Sequence, residues 1–346
     1  MEKKGRILTG HRPTGPRHIG HLVGTLQTWA QLQSVYECFF LVADLHVLTT
    51  DFDHPGRIAQ NSVEVVTDWL AAGIDPAQST LVLQSAVPAH SQLAILLGML
   101  ATVSRLERVP TYKEQVQELN LHPSLGLLTY PVLQAADILL YKADTVPVGE
   151  DQLPHLELSR ELARRFNQFY GDVFPEPQPM LSKMPRLPGV DNRTMHTSYG
   201  NQIYLKDTDE ETTRKILNMY TDPSRLHASD PGHIEDNPVF TYLDLFDPDE
   251  VGVEELKGLY RGGKVGDIAV KQHLASVLNA HLRPLRERRS EFANHPSEVL
   301  DVLYAGTERA RPVAEETLFT VQEKMGLNLK ATLAGRFNQI PSGIYC

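Results

Sequence analysis

Cysteine is nearly absent from this chain. Cys38 and Cys346 are its only two, too few for a disulfide framework. Cys38 also opens an apolar run, where a cysteine reads as a small buried hydrophobe, so a reducing cytosol is the expected setting. Long hydrophobic runs are missing as well: the longest apolar helix candidate, about Leu93–Val103, is too short to cross a bilayer. The N-terminal Lys3, Lys4 and Arg6 lead into a stretch that turns polar at Thr9, with no apolar segment of signal length. A soluble, cytoplasmic protein without a membrane partner is expected. An excess of positive charge is also lacking. Thirty-three Lys and Arg against 43 Asp and Glu give a formal charge of −10, which argues against nucleic-acid binding over the whole surface. Local basic faces remain open at Arg160, Arg164 and Arg165 and at Arg283, Arg286, Arg288 and Arg289, where the ordinary alternative is a solvated helix face.

What the chain does have is the length for one large or two ordinary domains, and an alternation of strand and helix patterns in its first half. Ile7–Thr9 reads as a short strand and His21–Gln33 as a helix with Leu22, Leu26, Trp29 and Leu32 on its apolar face. Cys38–Ala43 is an apolar run of strand length, Arg57–Ala72 a helix stopped by Gly73, and Leu81–Leu83 another strand. Strands without period-2 alternation imply a parallel sheet covered on both faces. Its ligands belong at the C-terminal strand ends, where His11, Asp44 and His46 lie. Residues 88–143 read as mainly helical, Thr145–Val148 as a strand and Pro154–Phe166 as a helix. The Pro- and Gly-rich stretch 171–200 has the composition of a loop. Helices are expected from Lys206 to about Arg289 and again over Ser297–Met325, with a tail after residue 330.

Two stretches carry chemistry. The first is GHRPTGPRHIGHLVG, residues 10–24, a strand end that breaks at Gly10 and restarts as a helix near His18. Such a turn presents phosphates to a helix N-terminus. His18 and His21 stand on one side of the first turn, and Gly20 leaves bare backbone for a base or ribose. Two imidazoles there can donate to charge growing on a phosphate. Two surface histidines in a turn are the plain alternative, and no Cys or His cluster nearby supports a metal site.

The second stretch is residues 127–152. Gln134 and Asp137 share a helix face beyond Tyr130, and an Asp on an otherwise apolar helix either braces its own structure or awaits a ligand's donor. With Gln134 and Tyr130 beside it, Asp137 is what a pocket needs to read an aromatic ring that bears one polar hydrogen. The turn Gly149-Glu150-Asp151-Gln152 after a strand is similar to a ribose- or amine-binding turn; an acidic surface loop is its plain alternative.

GHRPTGPRHIGH, YPVLQAADILLY, VPVGEDQ followed by HLELSRELARRFN, and RLPGVD with SYGN occur in order from about Arg6 to Met325. In these motifs the chain resembles the class I aminoacyl-tRNA synthetases, specifically the bacterial tryptophanyl-tRNA synthetases. The resemblance implies an α/β fold: a Rossmann-type parallel-sheet nucleotide-binding domain plus an all-helical C-terminal domain. Its implied layout is a catalytic domain over 1–204 with a helical insertion, an anticodon-binding domain over 205–295, helices packing back over 296–330 and a tail over 331–346. It implies a homodimer in the cytoplasm that serves protein biosynthesis. The implied ligase reaction activates L-tryptophan with ATP and Mg²⁺, releasing pyrophosphate, and then charges the 2′-hydroxyl of tRNA(Trp).

By the same resemblance, His18 and His21 contact ATP phosphates, Gly20 packs on adenosine, Asp151 takes the ribose hydroxyls, and Gly10, Arg12, Thr14 and Gly149 belong to the ATP site. Asp137 accepts the indole N–H, with Tyr130 and Gln134 shaping the pocket. His46, Tyr130 and Gln152 hold the ammonium and carboxylate ends, and Leu8, Val146 and Val148 line the ring. One departure stands out. The family's Lys-Met-Ser-Lys-Ser signature is here Thr194-Met195-His196-Thr197-Ser198: Met195 and Ser198 survive, and both lysines are threonine. Losing one such charge costs a few kcal/mol of transition-state stabilisation, about a hundredfold in rate. Arg193 is adjacent, Lys183 and Arg186 are on the same loop, and a protonated His196 could help, so partial substitution is open and weakened activation is expected. Two alternatives remain: a tryptophan- or adenylate-binding regulatory paralogue, and a tyrosyl-tRNA synthetase.

Overall fold

The computed structural model describes residues 3–118, 123–181, 187–195, 199–225, 227 and 229–328. Ser198, and with it Lys183, Arg186, His196, Thr197 and the tail, lie outside the described residues. β1 (Arg6–His11) runs to the motif turn and α1 (Ile19–His21). The helix continues through a π-helical segment, Leu22–Leu26, into α2 (Gln27–Leu32). β2 (Glu37–Val42), α3 (Asp44–Val47), α4 (Ile58–Ala71) and β3 (Ser79–Leu83) complete one half of the sheet unit. Then come α5 (Ala89–Gly98), α6 (Val103–Leu106), α7 (Pro110–Glu118) and α8 (Leu125–Leu140), followed by β4 (Thr145–Val148), α9 (Leu153–Tyr170) and β5 (Gln178–Leu181). The C-terminal region is α10 (Asp209–Leu217), α11 (Pro238–Phe246), α12 (Glu250–Arg261), α13 (Asp267–Asn294) and α14 (Pro296–Lys324).

The five strands pair in parallel in the order β3-β2-β1-β4-β5. The sheet therefore grows in opposite directions from β1 and β4, and the crevice beyond their carboxyl ends is where such a sheet binds ligands. Successive β2 residues enter different cores. Cys38, Phe40 and Val42 join the cluster with Trp29 and Trp69, while Phe39 and Leu41 join the one with Leu93 and Leu139. With both faces covered, the strands carry continuous apolar runs rather than alternation.

The stretch 171–200 corrects the expectation of a loop. Residues Gln178–Leu181 form an edge strand in register with β4, Val146 opposite Pro179. Prolines are compatible with an edge strand, and they hid this one from a composition reading.

α14 covers the other edge of the sheet. A Cβ at Gly306 would collide with the carbonyl oxygen of Leu81, so only glycine lets the helix lie this close to β3. Thr307 Oγ1 there accepts the Leu83 N–H at 3.0 Å, satisfying a strand donor that would otherwise face solvent. No helix among the described residues is long and apolar enough to cross a membrane.

Most arginines of the two groups have partners within the protein, although Arg164, Arg165, Arg283 and Arg288 stay exposed. On α13, Arg289 binds Asp68 at 2.6 Å and also Glu64, Arg288 donates to the Ala71 carbonyl at 2.8 Å, and Arg286 pairs with Asp209 at 2.6 Å. On α9, Arg160 and Arg164 pair with Glu157 and Glu176, and Arg165 lies over the Phe169 ring. One apolar cluster runs from Ile7 and Trp69 to Leu274 and Leu278, so sheet and C-terminal helices share a core.

Candidate active site

Gly10 brings β1 against β2: a Cβ there would collide with the Leu41 carbonyl oxygen. The turn that follows is tied down from outside. Arg17 donates its backbone N–H to Asp68 at 2.6 Å, and its carbonyl accepts from Leu205 at 2.9 Å. Ile19 donates to the Ile203 carbonyl at 3.0 Å, and His18 bridges to Tyr204. A cavity of about 310 Å³ results, lined by Thr14, Gly15, Pro16, Arg17, His18, His21, Met195 and Tyr204. A Cβ at Gly20 would stand 2.9 Å from His18 Nδ1 and 3.3 Å from Met195 Sδ, so the glycine lets the His18 ring and the sulfur close on the turn.

His21 in this turn is a neutral donor. Burial lowers the pKa of His21 well below the usual imidazole value, with the charge of Arg17 adding to the effect. Its Nδ1 accepts the His18 N–H at 3.3 Å, which leaves the proton on Nε2. The His18 and His21 rings lie 3.8 Å apart. Behind them the half-buried His11 is likewise held neutral, chiefly by desolvation. Its Nδ1 accepts the Trp69 indole N–H at 3.0 Å, and its other face stacks on Trp29 at 4.6 Å. Its Nε2–H reaches Thr25 Oγ1 at 3.3 Å, and that hydroxyl donates to the His21 carbonyl at 2.7 Å. Thr25 sits in the π-helical segment, where a widened backbone is a common mark of a functional region.

The second half of the site is a polar hub on α8. Asp137, only 3% exposed, receives Gln84 Nε2 on both oxygens at 2.8 and 2.9 Å, His90 Nδ1 at 2.7 Å and His46 Nε2 at 2.8 Å. Burial alone would raise its pKa, but the hydrogen bonds from the two histidines hold it below the ordinary carboxylate range. Tyr141 donates to His90 Nε2 at 2.9 Å. The four acceptor positions of Asp137 are thus filled by protein donors. Of the two readings of an Asp on an apolar helix, its surroundings fit the brace, and an indole N–H can bond it only by displacing one of these donors.

Tyr130 stands nearby, its ring 6.5 Å from that of His46. Its hydroxyl forms a triangle with Thr111 Oγ1 at 2.7 Å and His155 Nε2 at 2.8 Å, and burial lowers the His155 pKa to about 4. Gln134 is half-buried on α8, and Leu8 and Val146 are buried in the core beneath, with the half-buried Val148 packed against it. At the end of β4, Asp151 folds over Gly149, its Oδ1 2.7 Å from where a Cβ would stand, and accepts from Gln152 Nε2 at 3.0 Å.

The structure therefore gathers Thr14, His18, His21 and Met195 around one cavity, with Gly20 next to His18 and Met195, and brings His46 to Asp137 in a second group. Arg12 reaches elsewhere, donating to Thr50 Oγ1 at 2.6 Å. Arg193 does not join the cavity. It pairs with Asp191 at 2.6 Å and lies over the Tyr199 ring, its side chain 63% exposed. Its charge is matched by that carboxylate in this structure. Sequence reasoning missed Arg17, Tyr204, Gln84, His90, Thr111 and His155. Only Arg17 carried a local signal, a charge inside the motif itself.

A family model described as tRNA synthetases class I (W and Y) matches residues 1–283. A tryptophan–tRNA ligase of Thermotoga maritima is 48% identical, over 93% of this chain and 99% of the relative, and one of Treponema pallidum is 47% identical, over 94% and 98%. Among solved structures, a tryptophanyl-tRNA synthetase of Campylobacter jejuni complexed with ADP and tryptophan superposes with a TM-score of 0.85, at 33% identity, covering 93% of this chain and 100% of the other.

Proposed function

This chain belongs to the class I tRNA synthetases of the tryptophan and tyrosine type, and from that premise we propose that it is the ligase that joins L-tryptophan to tRNA(Trp). The observation that carries the proposal is the pairing of two features across the sheet's switch point. The cavity of His18, His21 and Met195 follows the end of β1, and His46, bonded to Asp137 of α8 and near Tyr130, follows the end of the neighbouring strand β2. A neutral His21 that donates through Nε2 suits a phosphate oxygen, and Gly20 and Gly149 with Asp151 suit adenosine and its ribose. The tryptophan carboxylate attacks the α-phosphorus of ATP, pyrophosphate leaves, and the mixed anhydride then passes its acyl group to the 2′-hydroxyl of the tRNA's terminal adenosine.

Leu8, Val146, Val148 and Gln134 would bound the ring. The Asp137 carboxylate would accept its N–H once one of the present donors, Gln84, His90 or His46, is displaced. Gln152 and Tyr130 would hold the ammonium end. Mg²⁺ enters on the triphosphate, as it commonly does. The described residues offer no group of three His, Cys, Asp or Glu to hold a metal ion, so no step is assigned to one. With Thr194 and Thr197 in place of lysine, activation is weaker than in a lysine-bearing relative. Ile95, Met99, Val103 and Leu125 are exposed on the neighbouring helices α5, α6 and α8 and form the face for a second copy in a homodimer. The enzyme works in the cytosol, where its tRNA is.

Tryptophan-dependent ATP–pyrophosphate exchange, run beside tyrosine and followed by tRNA charging, tests the assignment. Exchange with tryptophan is expected. Exchange with tyrosine instead would make it the tyrosine enzyme, and tryptophan binding without exchange would leave a regulatory paralogue. Light scattering of the purified chain tests the dimer, and a monomeric mass would discard it.

A further inference from the structure

Arg17 is 3% exposed, yet among the described residues it makes no ion pair. Its Nη2 donates to the Gly15 carbonyl at 2.6 Å, and its Nε is buried without a partner. Asp68 does not neutralise it through the guanidinium: one Asp68 oxygen takes the Arg17 backbone N–H, and the other takes Arg289 from α13. Charged side chains are almost never buried this deeply unless paired, because the lost hydration has to be replaced. Arg17 is among the residues that line the cavity with His18, His21 and Met195, its charge acts on His21, and of the lining residues it alone carries a permanent charge. Arg12 and Arg193 are engaged elsewhere, and His21 is neutral.

We propose that Arg17 is the phosphate-binding cation of this cavity, pairing with the outer phosphates of ATP and with the pyrophosphate that leaves. The proposal rests on the activation reading above. As the tryptophan carboxylate oxygen bonds to the α-phosphorus, the bond to the bridging oxygen breaks and its electron pair departs on pyrophosphate. Arg17 transfers no proton in this step; it matches the growing charge with a rigid fork of donors. Burial lowers its pKa only to about 10, so the charge is present at neutral pH. A fixed arginine in the turn thus does part of what mobile lysines at positions 194 and 197 would do.

The test uses the full chain with Arg17→Met and Arg17→Lys, both of which keep the backbone N–H that Asp68 accepts. Exchange kinetics are read for ATP and tryptophan separately, and inorganic pyrophosphate is titrated by calorimetry. R17M is expected to lose about a hundredfold in exchange, with the KM for ATP raised, the KM for tryptophan within about twofold of the parent and pyrophosphate binding weakened more than about tenfold. R17K should recover part of the loss, since an ammonium keeps the charge without the fork. Unchanged ATP kinetics in R17M, or an equal loss of tryptophan binding, overturns the proposal. If the parent shows no exchange, the activation reading fails on its own and the pyrophosphate titration still decides. Equal affinity in parent and R17M refutes the anion site, and weaker affinity in R17M upholds it. Should R17M not fold, Arg17→Gln provides the neutral comparison while still able to donate to Gly15.

Discussion

Trp69 donates its indole N–H to His11 Nδ1 at 3.0 Å, and Trp29 stacks on the same imidazole. Both tryptophans of the chain therefore report on one neutral histidine directly behind the HIGH turn. Protonating His11 would take away the acceptor of Trp69 and place a charge between two indoles.

A pH dependence follows. His11, His21 and His155 have folded pKa values below the free imidazole value, with His155 at about 4. Between pH 6.5 and their folded values the unfolded chain binds protons that the native chain does not, so stability is present above 6.5 and falls as the pH drops. Each histidine contributes about 1.4 kcal/mol per pH unit in that window. Denaturant melts followed by tryptophan emission at pH 7.5, 6 and 5 should show a progressive loss. A flat profile would mean these imidazoles charge freely in the native state.

Asp137→Asn turns one carboxylate oxygen into a donor facing Gln84 and the two histidines. A buried acceptor lost to several donors costs about 2–4 kcal/mol. Urea unfolding should register that loss, and tryptophan should no longer protect the variant against heat. Protection of the same size as in the parent would show that the hub has no part in the amino-acid site.

Restoring lysine at both Thr194 and Thr197 should raise the exchange rate about tenfold. The gain is smaller than the full worth of two lysines, because Arg17 already contributes charge. In R17M the same pair of lysines should give a larger gain. Equal gains in both backgrounds would mean that the two sources of charge do not act on the same phosphates.

Gly306→Ala places a methyl group against the Leu81 carbonyl. Backbone cannot yield as a side chain end can, so the variant should lose about 1–3 kcal/mol, with Thr307 drawn away from the Leu83 N–H. A melting temperature unchanged within error would show that α14 moves away from β3 without cost.

The motif turn, the order of strands and helices up to β4, and the placement of His18, Gly20 and His21 at the end of β1 were legible in the sequence. They depend on local rules: apolar runs of strand length, glycine where backbones meet and a helix restarting after a turn. Asp137 was legible as an anomaly, a carboxylate on an apolar helix, although its meaning was not. His46, Gln84 and His90, all distant from it in the chain, fill its lone pairs only once α3, the segment after β3 and α5 converge on α8.

The same limit explains the arginines. Composition made Arg286 and Arg289 one basic group, because sequence records charge and not the carboxylate that folding brings opposite. The tertiary structure matched those two on α13 to Asp209 and Asp68 and left the buried Arg17 guanidinium without an ion pair among the described residues. Chain chemistry by itself determined which residues were capable of holding a nucleotide. Long-range packing decided which of their charges are already neutralised inside the protein and which remain for a ligand, since that depends on distances between groups up to about 220 residues apart.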